Sequence, residues 1–331
     1  MMDAALKYYN NPNYTWFPND NINYDYVSED ISFHHTSDYG SGRMPYNNFL
    51  NITFISILVI CIFGVVGNGI VIWLLGFHIK RNPFTTYILN LAIADFGRLL
   101  SLIFAIVSNW LTILYDLSSI LSVSSIFLFL STHTASNFLL TAISIDSCMA
   151  AFFPLWHRCH RPPHLSTIVC VLVWVLSFLL SRISFIILQM YNNEAVIRVL
   201  YQFIVNAMVC FPLVAAATLA LFINVCCKAQ QHQRRKLFTI ILLTLLCFLF
   251  LGSPLNIIVT LHFYIYILSY VVLLAFVLSC LNSSVNPMIY FLVGRERKAR
   301  HRESLEVILQ RVFKEEEGCA EELQPPVQIQ L

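Results

Sequence analysis

The chain has 331 residues, of which 58% are hydrophobic and only 11% charged, where a soluble domain carries roughly 25% charged residues. Its formal net charge of +2 is too small to mark a nucleic-acid partner, and a chain of this composition needs lipid around it. Water-soluble enzymes and nucleic-acid-binding proteins are thereby excluded first.

In chain order, the amino terminus lacks a basic start followed by an apolar stretch and a small-residue cleavage site. The first membrane segment is therefore expected to direct insertion. Residues 1–50 are polar and rich in Tyr, Asn and Asp, a composition that buries no core, so a disordered tail is expected there. It holds one glycosylation sequon, Asn13-Tyr14-Thr15, with a second at its edge, Asn51-Ile52-Thr53, close to the bilayer. Tyr24-Asp25-Tyr26 and Glu29-Asp30 offer a weak setting for tyrosine sulfation, against the plainer reading of a solvated linker.

A membrane helix needs about 20 mostly apolar residues. Runs that meet this are 52–77, 84–111, 117–148, 165–188, 196–227, 237–262 and 266–293. The last two form one uncharged stretch between Lys236 and Arg295. A single helix of that length would run to ~87 Å at about 1.5 Å per residue, so the chain must turn back near His262–Tyr266. Lys and Arg concentrate after the first, third, fifth and seventh runs, whereas the alternate connections carry Asp116, Glu194, Arg198 and little else. The positive-inside rule then places the amino terminus outside and the carboxyl terminus inside.

Beyond the seventh run, Leu305, Ile308, Leu309, Val312 and Phe313 recur at helical spacing beside several Arg residues. A short amphipathic helix on the inner membrane surface is expected over 295–313, with a cytoplasmic tail over 314–331. The expected fold is thus an all-α membrane protein, a seven-transmembrane helix bundle over 51–294 followed by that helix. All ten cysteines fall in apolar or cytoplasmic segments, so no extracellular disulfide framework is expected. Cys226-Cys227 and Cys319 are palmitoylation candidates or plain thiols.

A transporter is the second class, kept open by an acid and arginines inside the spans, but the odd span count and lack of visible repeats disfavour it. No metal-ligand spacing, phosphate loop or nucleophile arrangement supports an enzyme.

The residues narrow the choice among receptors. Asn68 within Gly67-Asn68-Gly69, Leu91-Ala92-Ile93-Ala94-Asp95, Trp174 and Asn286-Pro287-Met288-Ile289-Tyr290 resemble the rhodopsin-like receptors. Trp156-His157-Arg158-Cys159-His160-Arg161-Pro162, Gly252-Ser253-Pro254 and the run from Ser283 to Gly294 resemble the Mas-related group of G-protein-coupled receptors. The resemblance covers roughly residues 50–313. It implies an extracellular ligand and a heterotrimeric G protein as partners, in a multi-pass plasma-membrane protein.

The resemblance also assigns roles. It gives Asp95 a sodium ion as partner, held with Asn68, Ser136, Asn282 and Asn286; a buried polar network that only joins helices is the alternative. Arg98 lies three residues after Asp95, on a neighbouring helical position. Its guanidinium is placed to take the cation's position and make the receptor insensitive to sodium, unless it points up towards ligand. Apart from that ion no cofactor is expected.

At the inner end of the third run, Asp146-Ser147-Cys148 stands where the group carries an acid, an Arg and a Cys. Ser147 cannot copy a guanidinium's reach, so coupling is expected to be weakened or lost, or else carried by other inner-face contacts. A poorly coupled receptor that modulates a partner receptor is the alternative function. Pro212, Pro254 and Pro287 are expected to bend their helices and supply hinges, with Tyr290 beside Pro287 on the G-protein face. Phe129 stands where amine receptors carry an Asp, which argues against a small amine. Ser184 and Arg198, with Arg182 nearby, match positions where relatives that bind cationic peptides carry acids. A peptide or small molecule bearing an acid fits such a mouth, unless Arg182 and Arg198 snorkel to headgroups.

Overall fold

The computed structural model describes residues 43–79, 81–115, 120–154, 157, 161–162, 164–190, 201–227, 235–264 and 269–294. These contain seven helices long and apolar enough to cross a bilayer. Helix α1 is Arg43–Trp73, ending in a π-helical turn at Leu74–His78. Helices α2, α3 and α4 are Pro83–Tyr115, Ile120–Phe152 and Leu165–Met190. Helix α5 runs over 201–227 and includes a π turn at Asn206–Cys210. Helix α6 joins Arg235–Cys247, a π turn at Phe248–Gly252, and Ser253–Tyr264; α7 is Ser269–Gly294.

The expected spans match these helices within a few residues, and α6 and α7 part at Tyr264–Ser269, beside the expected reversal. Three boundaries differ, the simplest being α2, which runs on to Tyr115 where 111 was expected. Helix α1 begins at Arg43, inside the stretch expected to be tail, although its apolar span starts at Asn51. Helix propagation past the hydrocarbon edge is inexpensive once a nucleus exists, and Pro45 in the first turn forfeits no helical hydrogen bond. Helix α3 runs four residues past Cys148, to Phe152, because Ala150, Ala151 and Phe152 extend its apolar surface. The amphipathic helix expected at 295–313 and the tails at 1–42 and 314–331, with Asn13, the Tyr24–Glu29 region and Cys319, lie outside the described residues.

Burial is reversed relative to a soluble domain. Ile55, Val59, Ile62, Phe63, Val66 and Ile70 of α1 are exposed, a stripe that repeats at helical spacing and faces lipid. The interior meanwhile encloses many Ser, Thr and Asn side chains together with Asp95, Arg98 and His133. Helix α3 is the most enclosed span.

The three prolines act differently. A proline at position i leaves the carbonyl at i−4 without its N–H. For Pro212 and Pro254 those carbonyls belong to Met208 and Phe250, and both lie within π turns, where the backbone has already widened its ladder to absorb the break. For Pro287 the freed carbonyl is that of Ser283, and it accepts a hydrogen bond from Asn68 Nδ2 at 3.1 Å. Asn68 thus joins α1 to the proline turn of α7.

That joint is close. Ser284 Oγ donates to the Ile60 carbonyl at 3.1 Å, and a Cβ on Gly64 would lie 2.2 Å from Ser284 Oγ and 2.5 Å from Leu99 Cδ1. Gly64→Ala should accordingly lower the stability of the purified receptor by about 1–3 kcal/mol, the usual cost of overpacking a tight seam. A thermal-unfolding midpoint equal to that of the unmodified chain would contradict this packing.

Candidate functional site: a buried polar junction at mid-membrane

Asp95 and Arg98 are 0% and 1% exposed, one helical turn apart on α2, where a lone charge would cost several kcal/mol. Both are partnered. Asp95 Oδ1 accepts from Ser136 Oγ of α3 at 2.9 Å, from Ser283 Oγ of α7 at 2.9 Å and from Arg98 Nη2 at 3.4 Å. Its Oδ2 accepts from Asn286 Nδ2 at 2.7 Å. The carboxylate is therefore saturated by three neutral donors and one cation that belongs to the chain itself. The guanidinium supplies a positive charge beside the carboxylate from within the chain.

Arg98 extends the junction. Its Nη2 also donates to the Ser279 carbonyl of α7 at 3.3 Å, and its Nη1 lies 3.1 Å from His133 Nδ1. A guanidinium only donates, so His133 Nδ1 is the acceptor and the ring proton sits on Nε2. Nε2 then donates to Asn256 Oδ1 of α6 at 2.9 Å. Asn137 Nδ2 lies 3.3 Å from the same nitrogen. Phe129 stacks on His133 at 5.5 Å between centroids, and Phe203 of α5 tilts against it at 5.4 Å. One imidazole therefore touches α2, α3, α5 and α6.

A second junction lies on the α4–α5 side. Gln202 Nε2 lies within hydrogen-bonding distance of Leu130 O at 2.9 Å, Thr134 Oγ1 at 2.5 Å and Ser181 Oγ at 3.0 Å. Ser184 is buried, but its hydroxyl is engaged on its own helix at Leu180 O, 2.9 Å away. Arg182 is exposed on the face that carries Val175, Phe178, Leu179 and Ile186. That is the outward face, the placement that the headgroup alternative requires. Arg198 lies outside the described residues.

At the end of α3 nearest the α3–α4 connection, Asp146 pairs with Arg161 of that connection, Nη2 to Oδ2 at 3.0 Å, with His157 Nε2 3.4 Å from Oδ1. Arg161 also reaches His157 Nε2 at 2.8 Å and Ser166 Oγ at 2.6 Å. Ser147 is fully buried, and its Oγ has no hydrogen-bond partner among the described residues. Pro254 and Pro287 flank the centre on α6 and α7, Tyr290 is buried in the inner core, and Asn51 opens the first span on α1.

Asp95, Arg98, Ser136 and Asn286, all expected from the sequence, thus meet around one centre, whereas Asn68 is tied to it only through the Ser283 carbonyl. Asn282 does not reach the carboxylate. It packs on α6, where a Cβ on Gly252 would lie 3.0 Å from its Nδ2, and its α7 neighbour Ser283 takes the place at Asp95. His133, Asn137, Asn256, Ser279, Ser283 and Gln202 were not anticipated. A clue existed in the run Ser131-Thr132-His133-Thr134-Ala135-Ser136-Asn137, six polar residues in seven positions inside a span.

A bundle of seven spans with a charged, hydrogen-bonded centre and prolines within α5, α6 and α7 is that of a seven-transmembrane receptor. Residues 67–290 match the seven-transmembrane receptor (rhodopsin family) model. Mas-related G-protein coupled receptor member H of Rattus norvegicus is 40% identical over 273 residues, covering 80% of this chain and 84% of that protein. The Mus musculus proto-oncogene Mas is 36% identical over 265 residues, covering 76% and 81%, and member X1 of Homo sapiens is 35% identical over 284 residues, covering 82% and 85%. The chain belongs to the Mas-related G-protein-coupled receptors, multi-pass proteins of the plasma membrane and not enzymes.

Proposed function

We propose that this receptor, with its amino terminus outside and its carboxyl terminus inside the cell, passes occupancy by an extracellular ligand to a heterotrimeric G protein through rearrangement of α5, α6 and α7. The observation that carries this reading is the placement of three proline-associated breaks around one buried polar junction. Bent helices held by a few polar contacts can exchange between two packings, and a ligand that prefers one of them shifts the balance.

The ligand class is a peptide or small molecule that carries an acid. The sequence carries Arg182 and Arg198 near the ends of the fourth and fifth spans, and positive charge there would draw such a group from solution. Phe129, buried and stacked on His133, sets an uncharged ring where a small amine would need an acid. The junction holds its own cation in Arg98, so sodium is not a regulator.

A second reading is favoured by Ser147: a receptor that binds ligand, or modulates a partner receptor, while coupling weakly. A buried hydroxyl without a partner among the described residues does not replace an arginine that reaches across to α6 and then to the G protein.

The topology is tested with one epitope on each terminus. In intact cells the amino-terminal epitope should be stained by an impermeant antibody, and the carboxyl-terminal epitope only after permeabilisation. Finding both epitopes in one compartment would overturn the receptor reading.

A further inference from the structure

We infer that the hydrogen bond between His133 and Asn256 is the latch that keeps α6 closed against α3, and that Arg98 is the positioning residue that sets it. The inference rests on the receptor reading above, because it names the contact through which an outside event reaches α6.

The tie is well placed for that task. Asn256 lies two residues after Pro254, immediately outside the π turn Phe248–Gly252. A restraint there fixes the outer segment of α6 beside its hinge, and its loss frees the inner segment to swing the other way. Both partners are buried, at 1% and 2% exposure, so no water replaces the bond when it breaks.

Arg98 acts through the ring. Because its guanidinium can only donate to Nδ1, the proton is held on Nε2, and the bond to Asn256 Oδ1 has one polarity. Asp95 in turn holds Arg98, so the chain Asp95, Arg98, His133, Asn256 runs from α2 through α3 to α6. Phe129 and Phe203 flank the imidazole, and the apolar cluster around them includes Leu255, Val259 and Phe276. A ligand group that enters between these aromatic rings must move the imidazole.

The test uses the full chain in lipid nanodiscs, with nitroxides carried on unnatural amino acids at two exposed inner-half positions, Ile168 of α4 and Leu243 of α6. Pulsed electron resonance then measures their separation without any G protein. Asn256→Leu and His133→Phe should each raise the ratio of long to short separations about tenfold, the change in a two-state ratio that one buried hydrogen bond of ordinary strength controls. His133→Phe keeps the aromatic stack and loses only the ring nitrogens. His133→Gln, which restores an amide donor near Nε2, should return the unmodified distribution.

Nitrogen-15 spectra of histidine-labelled receptor, with His133→Phe identifying the resonance, should show His133 as the Nε2–H tautomer. Arg98→Leu should abolish that single form. Unmodified separations in both Asn256→Leu and His133→Phe, or a His133→Gln receptor as open as His133→Phe, would overturn the latch. A His133 tautomer unaltered in Arg98→Leu would overturn the role of Arg98. A receptor that never activates a G protein still gives these readouts, so failure of the latch is separable from failure of coupling.

Discussion

Asp95→Leu should cost the receptor about 3–5 kcal/mol of stability, the penalty for leaving one charge of a buried pair without its partner. Arg98 would keep only His133 Nδ1 and the Ser279 carbonyl, neither of which carries a negative charge. Ser136, Ser283 and Asn286 would at the same time lose the oxygens to which they donate, and each unmet buried donor adds to the penalty. The expected readouts are a large fall in the thermal midpoint of the solubilised protein and little receptor at the cell surface.

The double variant Asp95→Leu/Arg98→Leu should recover much of that loss, because it removes the charge as well as its partner. Equal stability of the single and double variants would show that the pair is not the element at stake. Arg98→Leu alone should make the midpoint rise when sodium replaces choline, since an unpaired carboxylate then seeks a cation, whereas the unmodified receptor should respond equally to the two salts. A sodium-dependent rise in the unmodified receptor would remove Arg98 from the cation's position.

Ser147→Arg should raise basal and ligand-driven G-protein activation about tenfold at matched surface expression, the scale of one additional charge-assisted hydrogen bond at the protein–protein face. The same change should lower stability in the closed form by about 1–3 kcal/mol, because Ser147 is fully buried and a longer side chain must displace its neighbours. Asp146 is not free to meet the new guanidinium unchallenged, since Arg161 already holds it at 3.0 Å. Activation that stays at the unmodified level would show that coupling does not depend on this position.

The spans were legible because composition and helix length answer directly to hydrocarbon thickness. The Asp95–Arg98 pair was legible too, since three residues on a helix fix neighbouring positions whatever the rest of the fold does. The Arg98–His133–Asn256 chain was not. His133 and Asn256 are 123 residues apart, and a single polar residue in a span does not reveal which helix it meets. Asn282 and Ser283 are adjacent in sequence, and only the rotation of α7 about its axis decides which of them reaches Asp95. The prolines announced bends at Pro212 and Pro254, but a bend, a kink and a widened turn share one residue signature.

Those widened turns matter for any transfer of residues between relatives. Each π turn accommodates about one extra residue, which rotates everything beyond it by about 100° relative to a regular helix. Position-by-position comparison with a homologue whose fifth or sixth helix is regular would therefore point the outer halves of α5 and α6 in the wrong direction. Ligand contacts assigned that way would aim at acyl chains instead of the cavity, and mutagenesis guided by them would return silent substitutions.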